Sequence, residues 1–123
     1  MRIRLTTTDV VHLAEVGGKA ASLIRLGQGG FRVPDGVVLT TAFFAPWIRQ
    51  IESSELWRTV IATVTTSRTR VLNLSERERL ARACEDVKQF AVDLSFNAEQ
   101  RDVVDEIRSE LDNGKFAVRS SSP

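Results

Sequence analysis

The stretch Val16-Gly17-Gly18-Lys19-Ala20-Ala21-Ser22-Leu23 decides how this chain is read. Two glycines and a lysine stand at the start of a helical pattern whose apolar positions are Ala21, Leu23, Ile24 and Leu26. A helix beginning there presents unpaired backbone N–H groups and the positive end of its macrodipole, which together favour an anion. The lysine adds a mobile point charge suited to a phosphate. The stretch is not a Walker A loop, because Lys19 is followed by Ala20 instead of Ser or Thr, and position 13, where the first glycine would stand, is Leu13. Standing alone, Gly-Gly-Lys reads as a turn before a helix with a solvated lysine.

Working outward, six of the seven glycines and two of the three prolines fall between Gly17 and Pro46, which concentrates unusual backbone geometry there. After the turn Pro34-Asp35-Gly36, the run Gly36 to Thr40 predicts a strand, and Phe116-Ala117-Val118-Arg119 predicts another. Neither alternates, so both are expected to be covered on two faces. Ile3 to Thr6 is a weaker third candidate. The strands near 36–40 and 115–119 are expected to share one sheet, with the helices over 75–94 and 97–113 packed beside it.

From Glu52 to Asn113 there is no Gly or Pro, and the stretch reads as helical. Ser75 with Glu78 reads as a capping box ahead of the stripe Leu80, Cys84, Val87, Ala91, Leu94. Asn97 with Gln100 opens a second helix carrying Val103, Val104, Ile107 and Leu111, and Gly114 suits its C-terminal stop. Leu56 to Thr66 has helical spacing despite a β-branched run, and helix is predicted because no turn signal interrupts it. Thr41 is expected to cap a helix bearing Phe43, Phe44, Trp47, Ile48 and Ile51, with Pro46 near its first turn or at a kink.

The chain's 123 residues suit one compact domain. Its 17 Lys and Arg balance 16 Asp and Glu, leaving no charge excess for a nucleic-acid backbone or an anionic membrane. No apolar run approaches the ~20 residues that span a bilayer. The N-terminus lacks the apolar core of a secretory signal, and the lone Cys84 cannot form an intrachain disulfide, so a cytoplasmic location is expected. One His and one Cys exclude a His/Cys zinc site. His12 reads as a surface histidine, Cys84 as core, and Trp47 and Trp57 as packing residues. Asp102, Asp105 and Glu106 read as a solvated helix face.

At the C-terminal end, Arg119 closes an apolar run and is followed by Ser120, Ser121 and Ser122. An arginine just beyond a strand presents a rigid fork of donors to phosphate oxygens.

Three motifs then occur in a telling order: Val16 to Leu23; Gly30-Phe31-Arg32-Val33-Pro34-Asp35-Gly36-Val37-Val38-Leu39-Thr40-Thr41; and Phe116 to Ser121. Together they resemble the N-terminal nucleotide-binding region of phosphoenolpyruvate synthase and pyruvate phosphate dikinase, a pattern shared by the rifampin phosphotransferases. The resemblance implies a helix-rich α/β (α+β) fold with a small sheet, the first lobe of an ATP-grasp domain. It implies a single partial domain over 1–123, the N-terminal subdomain of a longer enzyme. By motif match, Lys19 and Arg119 would contact ATP phosphates in one concavity, with Gly17, Gly18, Ser120 and Ser121 as the supporting loop. No residue of the chain is assigned a catalytic or metal-binding role. Mg²⁺ ligands, the second ATP-grasp lobe, the phosphohistidine domain and the acceptor site would lie outside the chain. The implied function is the ATP-binding lobe of a dikinase-type phosphotransferase acting on pyruvate; the alternatives are a rifampin phosphotransferase-like lobe or a non-catalytic interaction module. Alone, the chain is expected to bind ATP weakly and to turn nothing over. Two departures from the family pattern are Val37, where Phe is usual, and Pro46 inside the following helix.

Overall fold

Gly17 breaks the first helix in two. In the computed structural model, which describes residues 1–111 and 116–121, α1 runs Leu13–Gln28 but carries a non-helical Gly17 at φ 76° and ψ 164°. A positive φ of that kind costs an L-residue with a side chain, and glycine adopts it freely. The regular helix therefore restarts at Gly18, and its inner face supplies the buried residues Ala20, Ala21 and Ile24. Val16, Ala20 and Ala21 form a core cluster against which Ile3, Val11 and Val38 pack.

The remaining elements are β1 (Arg2–Arg4), β2 (Val37–Leu39), α2 (Thr41–Ser53), α3 (Glu55–Ser67), α4 (Leu74–Asp93) and α5 (Ala98–Glu110). This is a helix-rich α/β fold with a small sheet. The sheet is an antiparallel pair, Arg2 opposite Leu39, Ile3 opposite Val38 and Arg4 opposite Val37. The weakest strand candidate in the sequence thus supplies the partner of β2. Residues 116–119 are not a strand, which corrects the expected shared sheet. Phe-Ala-Val was read as a buried run, yet Phe116 is 58% and Val118 91% exposed. An apolar triplet becomes a strand only where a neighbouring edge offers ladder partners. The ATP-grasp lobe was implied by the three motifs and called for that shared sheet, which the β1–β2 pair does not supply. β2 is half-buried, not covered on both faces.

The chain divides into two compact units. One comprises Met1–Ala45 with the described residues from Phe96 onward; the other is Pro46–Ser95. The first is tied together by contacts distant in sequence. Arg2 bonds Glu110 and lies 3.1 Å from Glu106, and Arg4 reaches Glu110 at 2.7 Å, fastening β1 to α5. Gln100, 1% exposed, donates its amide to the Phe43 carbonyl at 2.8 Å and accepts from the Asn97 N–H at 3.0 Å. Phe43 is fully buried and meets Phe44 and Phe96 edge to face, with ring centroids 5.0 and 5.3 Å away. Thr40 precedes α2 and its carbonyl accepts from the Phe43 N–H at 2.9 Å, so the cap position belongs to Thr40 and Thr41 opens the helix.

The second unit is built mainly from α3 packed on α4. Ser54 caps α3 by accepting from the Trp57 N–H at 3.1 Å. Within its β-branched run the Thr59, Thr63 and Thr66 hydroxyls are satisfied inside the helix, donating to carbonyls four residues back. In α4 the capping box is Asn73 with Glu76, not Ser75 with Glu78. The Asn73 side chain and Glu76 satisfy each other's backbone N–H, and Arg70 holds the Glu76 carboxylate, a support that Glu78 lacks. The α4 stripe Leu80, Cys84, Val87, Ala91, Leu94 is half-buried as patterned, and Ala83 is its buried member. Trp47 donates its indole N–H to the Ala91 carbonyl at 3.1 Å. Pro46 sits inside α2, one turn later than a first-turn position, and having no N–H it cannot make the helical bond to the carbonyl four residues back. In α5 the Asn97–Gln100 box forms as patterned, whereas Gly114 lies outside the described residues.

Candidate functional site

The helix start after Gly17 and the segment 119–121 meet. Gly17 occupies the cap position of the restarted helix and has no side chain to satisfy the N–H groups of Gly18, Lys19 and Ala20. Ser121 does so in part: its hydroxyl accepts from the Ala20 N–H at 3.1 Å across 101 positions of sequence. Lys19 donates its ammonium to the Ser120 carbonyl at 3.2 Å. A side chain at Gly17 would put its Cβ 2.6 Å from the Ser121 carbonyl carbon and from Oγ, so glycine is required by contact as well as by φ.

All six expected site residues can be placed. Gly17 is buried, Gly18 half-buried, Lys19 exposed, and Ser120 and Ser121 lie against them. Arg119 is exposed and immediately precedes the docked serines. The Lys19 ammonium has three donors and spends one on Ser120, so two remain for an incoming anion. The Gly18 carbonyl, meanwhile, is held by the Ser22 hydroxyl at 2.9 Å. Lysine charge and first-turn N–H groups suit phosphate oxygens, and Arg119 is the residue next to the Ser120 carbonyl that holds Lys19.

A divalent cation fits less well. Among the described residues, no group of three or more His, Cys, Asp or Glu could hold a metal ion. The α5 carboxylates Glu106 and Glu110 are engaged by Arg2 and Arg4. Hydrogen bonding from Arg2 lowers the Glu110 carboxyl below its ordinary range, and the same contact raises the Arg2 guanidinium.

Of the other candidates, His12 is exposed at the head of α1 without capping it through its side chain, and Cys84 is half-buried instead of core. The sequence pattern does not disclose the cap that Ser121 supplies; the doubled glycine at 17–18 is its one local signal. Among the described residues no helix is long and apolar enough to cross a membrane.

A family model for the pyruvate phosphate dikinase AMP/ATP-binding domain matches residues 13–123, spanning the glycine-lysine helix start and the Arg-Ser-Ser segment together. No curated protein and no solved structure matches the chain. With the match covering most of its length and both halves of the site, the chain belongs to the family of pyruvate phosphate dikinase AMP/ATP-binding domains.

Proposed function

We propose that the chain supplies the ATP-phosphate-binding lobe of a dikinase-type phosphotransferase of the phosphoenolpyruvate synthase kind. In such an enzyme ATP phosphorylates a histidine on another domain, which passes the phosphoryl group to pyruvate. The observation that carries the reading is the meeting of Lys19 with the Arg119-Ser120-Ser121 segment at the start of a helix. Phosphoryl transfer depends mainly on positioning and on neutralising charge, and two cations of different shape serve both ends. Lys19 would act as a point charge and Arg119 as a fork, with Gly17 letting Ser121 dock against the helix start beside them. The second lobe, the Mg²⁺ ligands and the phosphohistidine would come from elsewhere in the enzyme.

Calorimetry of the purified chain with ATP tests this. Weak binding is expected, reduced severalfold but still measurable in Lys19→Ala and in Arg119→Ala; binding unchanged in both variants would remove the assignment. A turnover assay with labelled ATP, using pyruvate and a rifamycin as acceptors, should show no AMP formation by the chain alone. Sustained AMP production abolished by Arg119→Ala would show instead that the chain holds a complete site.

A further inference from the structure

We propose that Ser121 and Gly17 form a clip that positions Lys19 and Arg119 for a triphosphate, an inference that rests on the reading above. A helix start is usually capped by the residue that precedes it, through a short polar side chain. Here the preceding residue is Gly17, and the hydroxyl comes from Ser121. Gly17 at φ 76° without a Cβ is what lets the Ser121 backbone come close enough.

Two consequences follow for the cations. The Ser120 carbonyl fixes one N–H of the Lys19 ammonium, which limits where the other two can point. Arg119 is one residue from that anchor, and consecutive Cα atoms are about 3.8 Å apart, so the clip bounds the region its guanidinium can reach. Among the described residues no other hydrogen bond reaches 116–121, and 116–119 have no strand ladder. Releasing Ser121 would therefore free Arg119 to wander and charge ATP binding with the entropy of ordering it. Ser121 is thus a positioning residue that acts through Arg119.

The test is a double-mutant cycle on the full chain with ATP and with adenosine as ligands, read by calorimetry. Ser121→Ala should weaken ATP by about three- to tenfold, the range of one lost neutral hydrogen bond, leave adenosine unaffected, and add nothing in the Arg119→Ala background. Gly17→Ala, which keeps the hydroxyl but obstructs docking, should show the same pattern where it folds. Amide exchange without ligand reads the clip separately: Ser121→Ala should speed exchange at the Ala20 N–H. An Ala20 amide already unprotected in the unaltered chain overturns the clip. Loss of ATP binding in Ser121→Ala that adds in full to that of Arg119→Ala, or no loss at all, overturns its positioning role while the phosphate roles of the cations stand. Absence of ATP binding by the unaltered chain, or indifference to Lys19→Ala and Arg119→Ala, overturns both readings together.

Discussion

The two compact units are held together by opposite means. In the Pro46–Ser95 unit the bonds that define each helix are local: Ser54 to Trp57, Asn73 to Glu76, Arg70 to Glu76, Lys88 to Glu85. In the other unit the defining bonds join residues 57 to 108 positions apart in sequence: Lys19 to Ser120, Ala20 to Ser121, Gln100 to Phe43, Arg2 to Glu110. The candidate site lies wholly in the second kind of region. Bringing a charged pair of segments together across about 100 residues costs loop-closure entropy, and local capping avoids that cost. What the cost provides is a helix start capped by a residue that also carries a phosphate-binding neighbour.

Substitution at Gly17 should strain this contrast most. Gly17→Ala forces a Cβ into the Ser121 backbone at an unfavourable φ, and destabilisation of about 2–4 kcal/mol is expected from strain and overpacking combined. Both tryptophans, Trp47 and Trp57, belong to the Pro46–Ser95 unit. Urea unfolding followed by their fluorescence should therefore shift less than the exchange-derived stability of the α1 amides. Equal shifts would mean that the units unfold as one.

Gln100→Ala comes next. It leaves the buried Phe43 carbonyl and the Asn97 N–H without their side-chain partners and empties volume at a 1% exposed position. A loss of about 2–3 kcal/mol is expected by denaturant titration. A neutral result would show that water replaces the amide and that this tie is not structural.

Asn73→Ala probes the local style of construction. Removing one cap of α4 should cost about 1 kcal/mol, visible in the tryptophan-detected transition, with ATP binding unchanged. A concurrent loss of nucleotide affinity would break the separation between helical support and site.

The smallest effect expected is one of pH. The Arg70 hydrogen bond, assisted by the Asn73 backbone, lowers the Glu76 carboxyl from 4.5 to about 2. A carboxyl depressed on folding binds its proton more readily in the unfolded chain, so its stabilisation is in full force above about pH 4.5 and is lost as pH falls toward 2. Glu110 titrates in the same sense through Arg2. Glu76→Gln should flatten the acid limb of the tryptophan-detected transition relative to the unaltered chain. An identical limb would show that the Arg70 pair is too solvated to matter.

The helices were legible because their causes are short-ranged. Asn97 and Gln100 are three residues apart and Leu80, Cys84, Val87, Ala91 and Leu94 repeat every three or four, so chain geometry alone puts them together. Even the misplaced cap of α4 erred by two residues, because Asn73 and Ser75 both have a Glu three positions on, and the pair that forms is the one whose Glu Arg70 also holds. The residues of the candidate site were legible as motifs: Gly17, Gly18, Lys19, Arg119, Ser120 and Ser121 are all named by sequence. Their convergence was expected from the motif resemblance alone and from no local pattern, and the pairing of β1 with β2 was not foreseen. Strand partners and a cap supplied from 101 positions away depend on which distant surfaces come together, and no local pattern encodes that. For the same reason Phe116 to Arg119, apolar enough for a strand, is not one: no sheet edge takes it, and its place is set instead by the two serines that follow, docked on α1.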